Sequence, residues 1–187
     1  MKLFMVLIGC KPKGRNTEQH DIFFGIADHL AQLVPDMISW WPEAKGQIHI
    51  DAWREVNNVD SYQVKIVKQN PGRKILNPDH RIFFINLGGY KKEEFEEYHY
   101  KVLSAATSKS EAILASKQTA FFKHTGFKGA TSHIDDKYGI DVDDVFEIAD
   151  ILEAKFKAQF SLVLKKTPMP IEDELHIGYL KLEKIKV

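Results

Sequence analysis

The chain writes one order of residues twice, and that recurrence limits its fold more than any single motif. Leu3 to Gly9 is an apolar run ending on glycine, Glu18-Gln19-His20 follows, and His49-Ile50-Asp51 closes the set. Ile82 to Gly88 is again apolar and ends on glycine, followed by Glu97-Tyr98-His99 and His133-Ile134-Asp135. Phe4 and Phe83, Gly9 and Gly88, Lys13 and Lys92, Glu18 and Glu97, and His20 and His99 all stand 79 positions apart. Trp40-Trp41 meets Phe121-Phe122 at 81, and the two His-Ile-Asp triplets stand 84 apart, as do Asp60 and Asp144. A unit this long is a duplicated supersecondary block, not a solenoid repeat.

The recurrence sets expected boundaries. Residues 2–68 form a first unit, 69–80 a linker, 81–166 a second unit and 167–187 a C-terminal strand extension, all packed as one domain. The linker is marked by Asn70-Pro71-Gly72 and Asn77-Pro78-Asp79. Lys2 to Gly9 has the continuous apolar character of a strand buried on both faces. Pro12 and Gly14 break the basic loop that follows. The spacing of Ile22, Phe23, Ile26, Leu30 and Leu33 predicts a helix capped by Asn16 or Thr17 and broken or restarted at Pro35. Residues 47–56 and 62–67 are expected to pair as a hairpin. The second unit repeats the plan, with a strand over 81–87, mostly helix over 92–122 and a short strand over 131–135. Asp143 or Asp144 is expected to cap a helix over 145–156, before strands at 161–166 and 176–183. The expected class is α/β or α+β: two related strand-helix-strand halves forming a mixed sheet with helices packed on it, in a pseudo-twofold arrangement.

The stretch KLFMVLIGCKPKGRNTEQHDIFFGIADHL (Lys2 to Leu30), together with HIDAWREV (His49 to Val56), resembles the bacterial family catalogued as domain of unknown function 1543. Proteins of that kind carry one or two copies of the unit, and the resemblance implies two tandem copies here. The second copy departs from the pattern between Gly89 and Glu97. The resemblance implies no activity, because none is assigned to the family.

Composition narrows the function classes. The 187 residues carry 26 basic and 26 acidic side chains, a formal net charge of zero. That balance argues against a general electrostatic grip on nucleic acid or on an anionic membrane. A lone cysteine, Cys10, allows no internal disulfide and suits a reducing cytoplasm. Leu7-Ile8-Gly9-Cys10 imitates a lipoprotein signal, but the apolar run is short for a signal core and recurs inside the chain, so a buried strand explains it better. No segment is long and apolar enough to suggest a membrane span.

Two groups of residues are candidates for chemistry. Gly9 to Asn16 (GCKPKGRN) nearly spells G-x-x-x-x-G-K-[ST], but Arg15 stands for the lysine and Asn16 for the hydroxyl residue, so nucleotide hydrolysis is not expected. Lys11, Lys13 and Arg15 ahead of a helix N-terminus, with Glu18 and His20 nearby, would suit a small anion such as phosphate or a carboxylate. A solvated basic turn is the competing reading. The second unit holds Glu93, Glu94, Glu96 and Glu97 there instead.

The second group is the recurring set: Gly9, Glu18, His20, His49 and Asp51, matched by Gly88, Glu97, His99, His133 and Asp135. On a strand His49 and Asp51 point to one face. Glu18 and His20 would share a site only if their segment were extended. His20, His49 and Asp51 would then suit zinc or iron, or an acid–base pair in a hydrolase-like enzyme, with His99, His133 and Asp135 as a second set. The reading the residues favour is that these groups are hydrogen-bonded struts needed twice by a duplicated fold. Cys10 could have a lowered thiol pKa near a helix start, but the second unit has Gly89 there, which makes the thiol incidental. Trp40, Trp41 and Trp53 read as core, and the acidic run 135–144 lacks calcium-loop spacing.

Taken together, the sequence favours a binding or interaction module, self-associating as a homodimer, with a small anionic ligand at the Cys10–His20 loop and no cofactor. An enzyme built on the His/Asp cluster and a structural or partner-binding protein are the alternatives.

Overall fold

The computed structural model describes residues 1–69, 79–90, 93–116, 141–169 and 171–185. In chain order the strands are β1 (Lys2–Cys10), β2 (Gln19–Ala27), β3 (His49–Glu55), β4 (Asn58–Val59), β5 (Tyr62–Lys68), β6 (Arg81–Tyr90), β7 (Glu97–Ala106), β8 (Asp141–Glu147), β9 (Phe160–Lys166) and β10 (His176–Lys181). Helix α1 spans Val34–Trp40 and α2 spans Lys109–Ser116, and short helical turns cover Ile148–Ile151 and Ala154–Gln159. The class is α+β. Contacts divide the chain into two compact units, Met1–Ile75 with Leu152–Val187, and Leu76–Ile151.

The first unit contains a four-stranded sheet ordered β10-β3-β1-β2 and a three-stranded sheet ordered β4-β5-β9. β1 lies between β2 and β3 and is antiparallel to both. Its apolar residues Leu3, Phe4, Val6 and Ile8 are at most 1% exposed. Leu33 and Met37, on the turn and helix after β2, are buried with them. Trp40 packs edge-on against Phe23 and Trp53 lies tilted against Phe4, but Trp40, Trp41 and Trp53 are half-buried at the margin of the core that the sequence led one to expect them in. Among the described residues the second unit contains a three-stranded sheet ordered β7-β6-β8, with a core of Phe83, Ile85, Leu87, Ala106 and Ala112.

Several sequence expectations change. Residues 19–27 are a strand, not a helix. Ile22-Phe23-Phe24-Gly25-Ile26-Ala27 is a continuous apolar run, and any such run contains residues at helical spacing. All six are buried, and a Cβ on Gly25 would lie 2.8 Å from a Leu33 methyl, so glycine lets the following turn close onto the strand. In the second unit β7 takes the first part of the stretch expected as helix, and α2 is helical within its later part. Pro35 stands in the first turn of α1 and starts that helix. β3 pairs with β1 and β10; the hairpin partner of β5 is β4, through a turn at Asp60 with φ of 51°. Asp143 and Asp144 lie inside β8, so residues 141–147 are extended where a helix cap is expected. Every described strand pairing is antiparallel, and the strands form three sheets. Strand β9, expected in the second unit, pairs along its whole length with β5 of the first. No helix among the described residues is long and apolar enough to cross a membrane.

One irregularity occurs in both units. In the β1–β3 ladder Leu7 pairs with Ala52 and Ile8 with Ile50, leaving Asp51 as an extra residue. In the β6–β8 ladder Asn86 pairs with Asp144 and Leu87 with Val142, leaving Asp143 as an extra residue. Each is a β-bulge, a device that re-aims a side chain.

Candidate metal centre

Gly9 is the floor of the site. It pairs with His20 of β2 on one side and with His49 of β3 on the other. Residues directly opposite in a ladder project to one face, so both imidazoles rise beside a position that has no side chain. The bulge adds Asp51 from β3, and Glu18 arrives from the loop just before β2. A Cβ on Gly9 would lie 2.6 Å from His49 Nε2 and 2.7 Å from Asp51 Oδ2. Glycine is therefore required by the site and not by its own backbone conformation.

Each of the two carboxylates reaches both imidazoles. His20 Nε2 is 3.2 Å from Asp51 Oδ2 and 3.6 Å from Glu18 Oε2. His49 Nε2 is 3.2 Å from Glu18 Oε1 and 3.3 Å from Asp51 Oδ2. Glu18, His20 and His49 each offer a donor atom within 4.8 Å of the others. Metal bonds of about 2.0–2.2 Å in a tetrahedron give edges of about 3.3–3.6 Å. The nitrogen-to-oxygen separations fall on that scale.

Burial makes the arrangement informative. His49 is 7% exposed. His49 Nε2 and Asp51 Oδ2 are both buried, and neither makes a hydrogen bond. Buried polar atoms without partners are uncommon and costly. The strut reading requires the opposite. Among the described residues no lysine or arginine pairs with Glu18 or Asp51, so two carboxylates and two imidazoles face one another without a fixed cation. His20 and Glu18, with side chains 41% and 43% exposed, form the solvent side of the cluster.

The second unit builds part of the same cluster. His99 pairs with Gly88, and His99 Nε2 lies 3.2 Å from Asp143 Oδ2 and 3.9 Å from Glu97 Oε2. A Cβ on Gly88 would collide with the Asp143 carboxylate. All three of its donors are exposed. Asp141 occupies the register position that His49 holds in the first unit. The bulge brings Asp143 to His99; the expected His133 and Asp135 lie outside the described residues.

The basic loop is arranged differently from expectation. Lys11, Lys13 and Arg15 are exposed, and a turn closes with Arg15 N–H donating to Pro12 O at 3.2 Å. The loop leads into β2, so no helix dipole supports an anion there. Cys10 is buried at the end of β1. Burial, with a smaller contribution from the Glu18 carboxylate, pushes its thiol pKa up, where a helix start would have lowered it. Sequence reasoning also missed Tyr179, whose ring lies 4.5 Å from that of His49. No local pattern links residues so far apart in the chain.

The model of the family described as Domain of Unknown Function (DUF1543) matches residues 15–66. That span contains Glu18, His20, His49 and Asp51. The crystal structure of a protein from Idiomarina loihiensis is similar across 98% of this chain and 98% of that one, with a TM-score of 0.62 and 22% identity. The likeness is one of fold. No curated protein matches the chain in sequence.

Proposed function

We propose that the first unit is a divalent-metal-binding module, with Glu18, His20, His49 and Asp51 as its donor set. One observation carries the reading. His49 Nε2, in a side chain more than nine-tenths buried, faces Asp51 Oδ2 at 3.3 Å and neither atom has a hydrogen-bond partner. A cation between the imidazoles and carboxylates would satisfy all of these groups at once. Mixed imidazole and carboxylate donors suit zinc, iron or manganese and disfavour ions that demand sulfur. The two units are tandem copies in this reading, supported by the matched registers of Gly9 and Gly88 and by the two bulged aspartates. Among the described residues the second copy's cluster is exposed and holds one imidazole, His99.

The test is thermal unfolding of chelator-stripped protein with and without Zn²⁺, Mn²⁺ or Fe²⁺ under argon. An ion at about 100 times its dissociation constant adds about 2.7 kcal/mol, a rise of several degrees for a chain of this length. His49→Ala removes the rise. No rise with any of the three ions would refute the reading.

A hydrolytic enzyme is the second reading, favoured by the exposure of His20 and Glu18. A metal held there would be open to water on that side, and metal-bound water is a nucleophile at neutral pH. Turnover of 4-nitrophenyl phosphate or acetate by metal-loaded protein, lost in His20→Ala, is the expected result; no turnover would leave binding alone.

A further inference from the structure

We infer that Tyr179 is a positioning residue for His49: the C-terminal strand covers the imidazole and fixes the plane in which Nε2 faces Glu18 and Asp51. The inference rests on the metal reading of the first unit. A metal-bound histidine is normally oriented by a hydrogen bond from its other ring nitrogen. Among the described residues the buried His49 Nε2 has no hydrogen-bond partner, and packing on the ring is what would set its plane. That packing is aromatic. The two rings lie 4.5 Å apart at 34°, within the range of favourable offset contacts.

The backbone is built to deliver this contact. β10 runs antiparallel to β3, with Lys181 opposite His49 and Leu180 opposite Ile50, and then Ile177 opposite Ala52. Gly178 and Tyr179 thus face the single residue Asp51. Gly178 takes a φ of 137°, a conformation that side-chain-bearing residues rarely adopt. Tyr179 remains 64% exposed while the histidine beneath it is 7% exposed, so the tyrosine ring is the outer cover of the ligand. The same strand is held further along by an independent stack, His176 on Trp53, with centroids 3.8 Å apart at 11°. That second stack involves none of the four donors and provides an internal control.

The test compares Co²⁺ binding by wild type, Tyr179→Phe, Tyr179→Ala and His176→Ala, read by the visible ligand-field band, which reports geometry as well as affinity. Tyr179→Ala is expected to weaken Co²⁺ about tenfold and reduce the band intensity. Tyr179→Phe should restore both, and His176→Ala should stay within about twofold of wild type. Equal losses in Tyr179→Ala and His176→Ala would reduce Tyr179 to part of general strand docking and overturn the role, as would no loss in Tyr179→Ala. A metal-free readout separates this from failure of the metal reading. The ring proton of His49 should carry an aromatic ring-current shift in the metal-free protein that Tyr179→Ala abolishes. If that shift is present but wild type binds no Co²⁺, the metal centre is wrong and the role falls with it. If the shift is absent, Tyr179 does not cover His49 and the inference fails by itself.

Discussion

Gly9 and His49 face each other across the β1–β3 ladder so closely that a methyl group on Gly9 would lie 2.6 Å from the imidazole Nε2. The contact would involve a buried side chain with little room to retreat, beside a carboxylate oxygen at 2.7 Å. Gly9→Ala should therefore cost about 1–3 kcal/mol, the usual range for overpacking, and abolish metal binding. Gly14→Ala is the contrast. Its φ of 87° makes alanine unfavourable by about 1–2 kcal/mol, but nothing lies within 4 Å of the new atom, so metal affinity should be unchanged. Urea unfolding with metal titration on both variants checks the pair; metal binding retained by Gly9→Ala would contradict the site geometry.

Asp51→Asn should stabilise the metal-free protein while destroying metal binding. Its Oδ2 is buried without a hydrogen bond, and Glu18 brings a second carboxylate to the same imidazoles. An uncompensated buried acceptor costs about 1–3 kcal/mol, and an amide nitrogen in that position could donate to an imidazole. A higher melting temperature without metal and no shift with Zn²⁺ is the expected pattern. Destabilisation of the metal-free protein would revive the strut reading of the recurring residues.

The sequence made the site partly legible through recurrence. Gly9, Glu18, His20, His49 and Asp51 stand out because counterparts of the first three return at a fixed spacing. The geometry that joins them depends on β2 being extended, and there helical spacing misled. A run such as Ile22 to Ala27 is compatible with either period, and only pairing with β1 decides it. The bulge was invisible for a related reason. It places Asp143 beside His99 in the second unit, and no residue pattern announces an extra residue in a ladder. The β9–β5 and β10–β3 pairings are contacts of long sequence separation, so the strands themselves could be expected but not their partners.

His99→Ala should leave the zinc-induced stabilisation of the first unit unchanged. Among the described residues the second cluster is exposed on all three donors and holds no buried imidazole. Loss of the zinc effect in His99→Ala, measured by thermal unfolding, would mean that the ion binds elsewhere than at His49.

Cys10 should resist alkylation. The thiol is 1% exposed, and burial together with Glu18 raises its pKa, so the reactive thiolate is scarce at neutral pH. Iodoacetamide labelling followed by intact mass should be slow in the native state and complete in denaturant. Rapid native labelling would contradict the packing of the end of β1, one residue from the floor of the site.

Isothermal titration of Zn²⁺ into chelator-stripped, untagged protein is the most direct test of the central claim. Wild type should bind one ion with high affinity, His20→Ala and His49→Ala should lose that event, and a triple Ala variant of Lys11, Lys13 and Arg15 should keep it. Absence of binding by wild type, or binding undiminished in His49→Ala, would contradict the assignment of Glu18, His20, His49 and Asp51 as a metal centre.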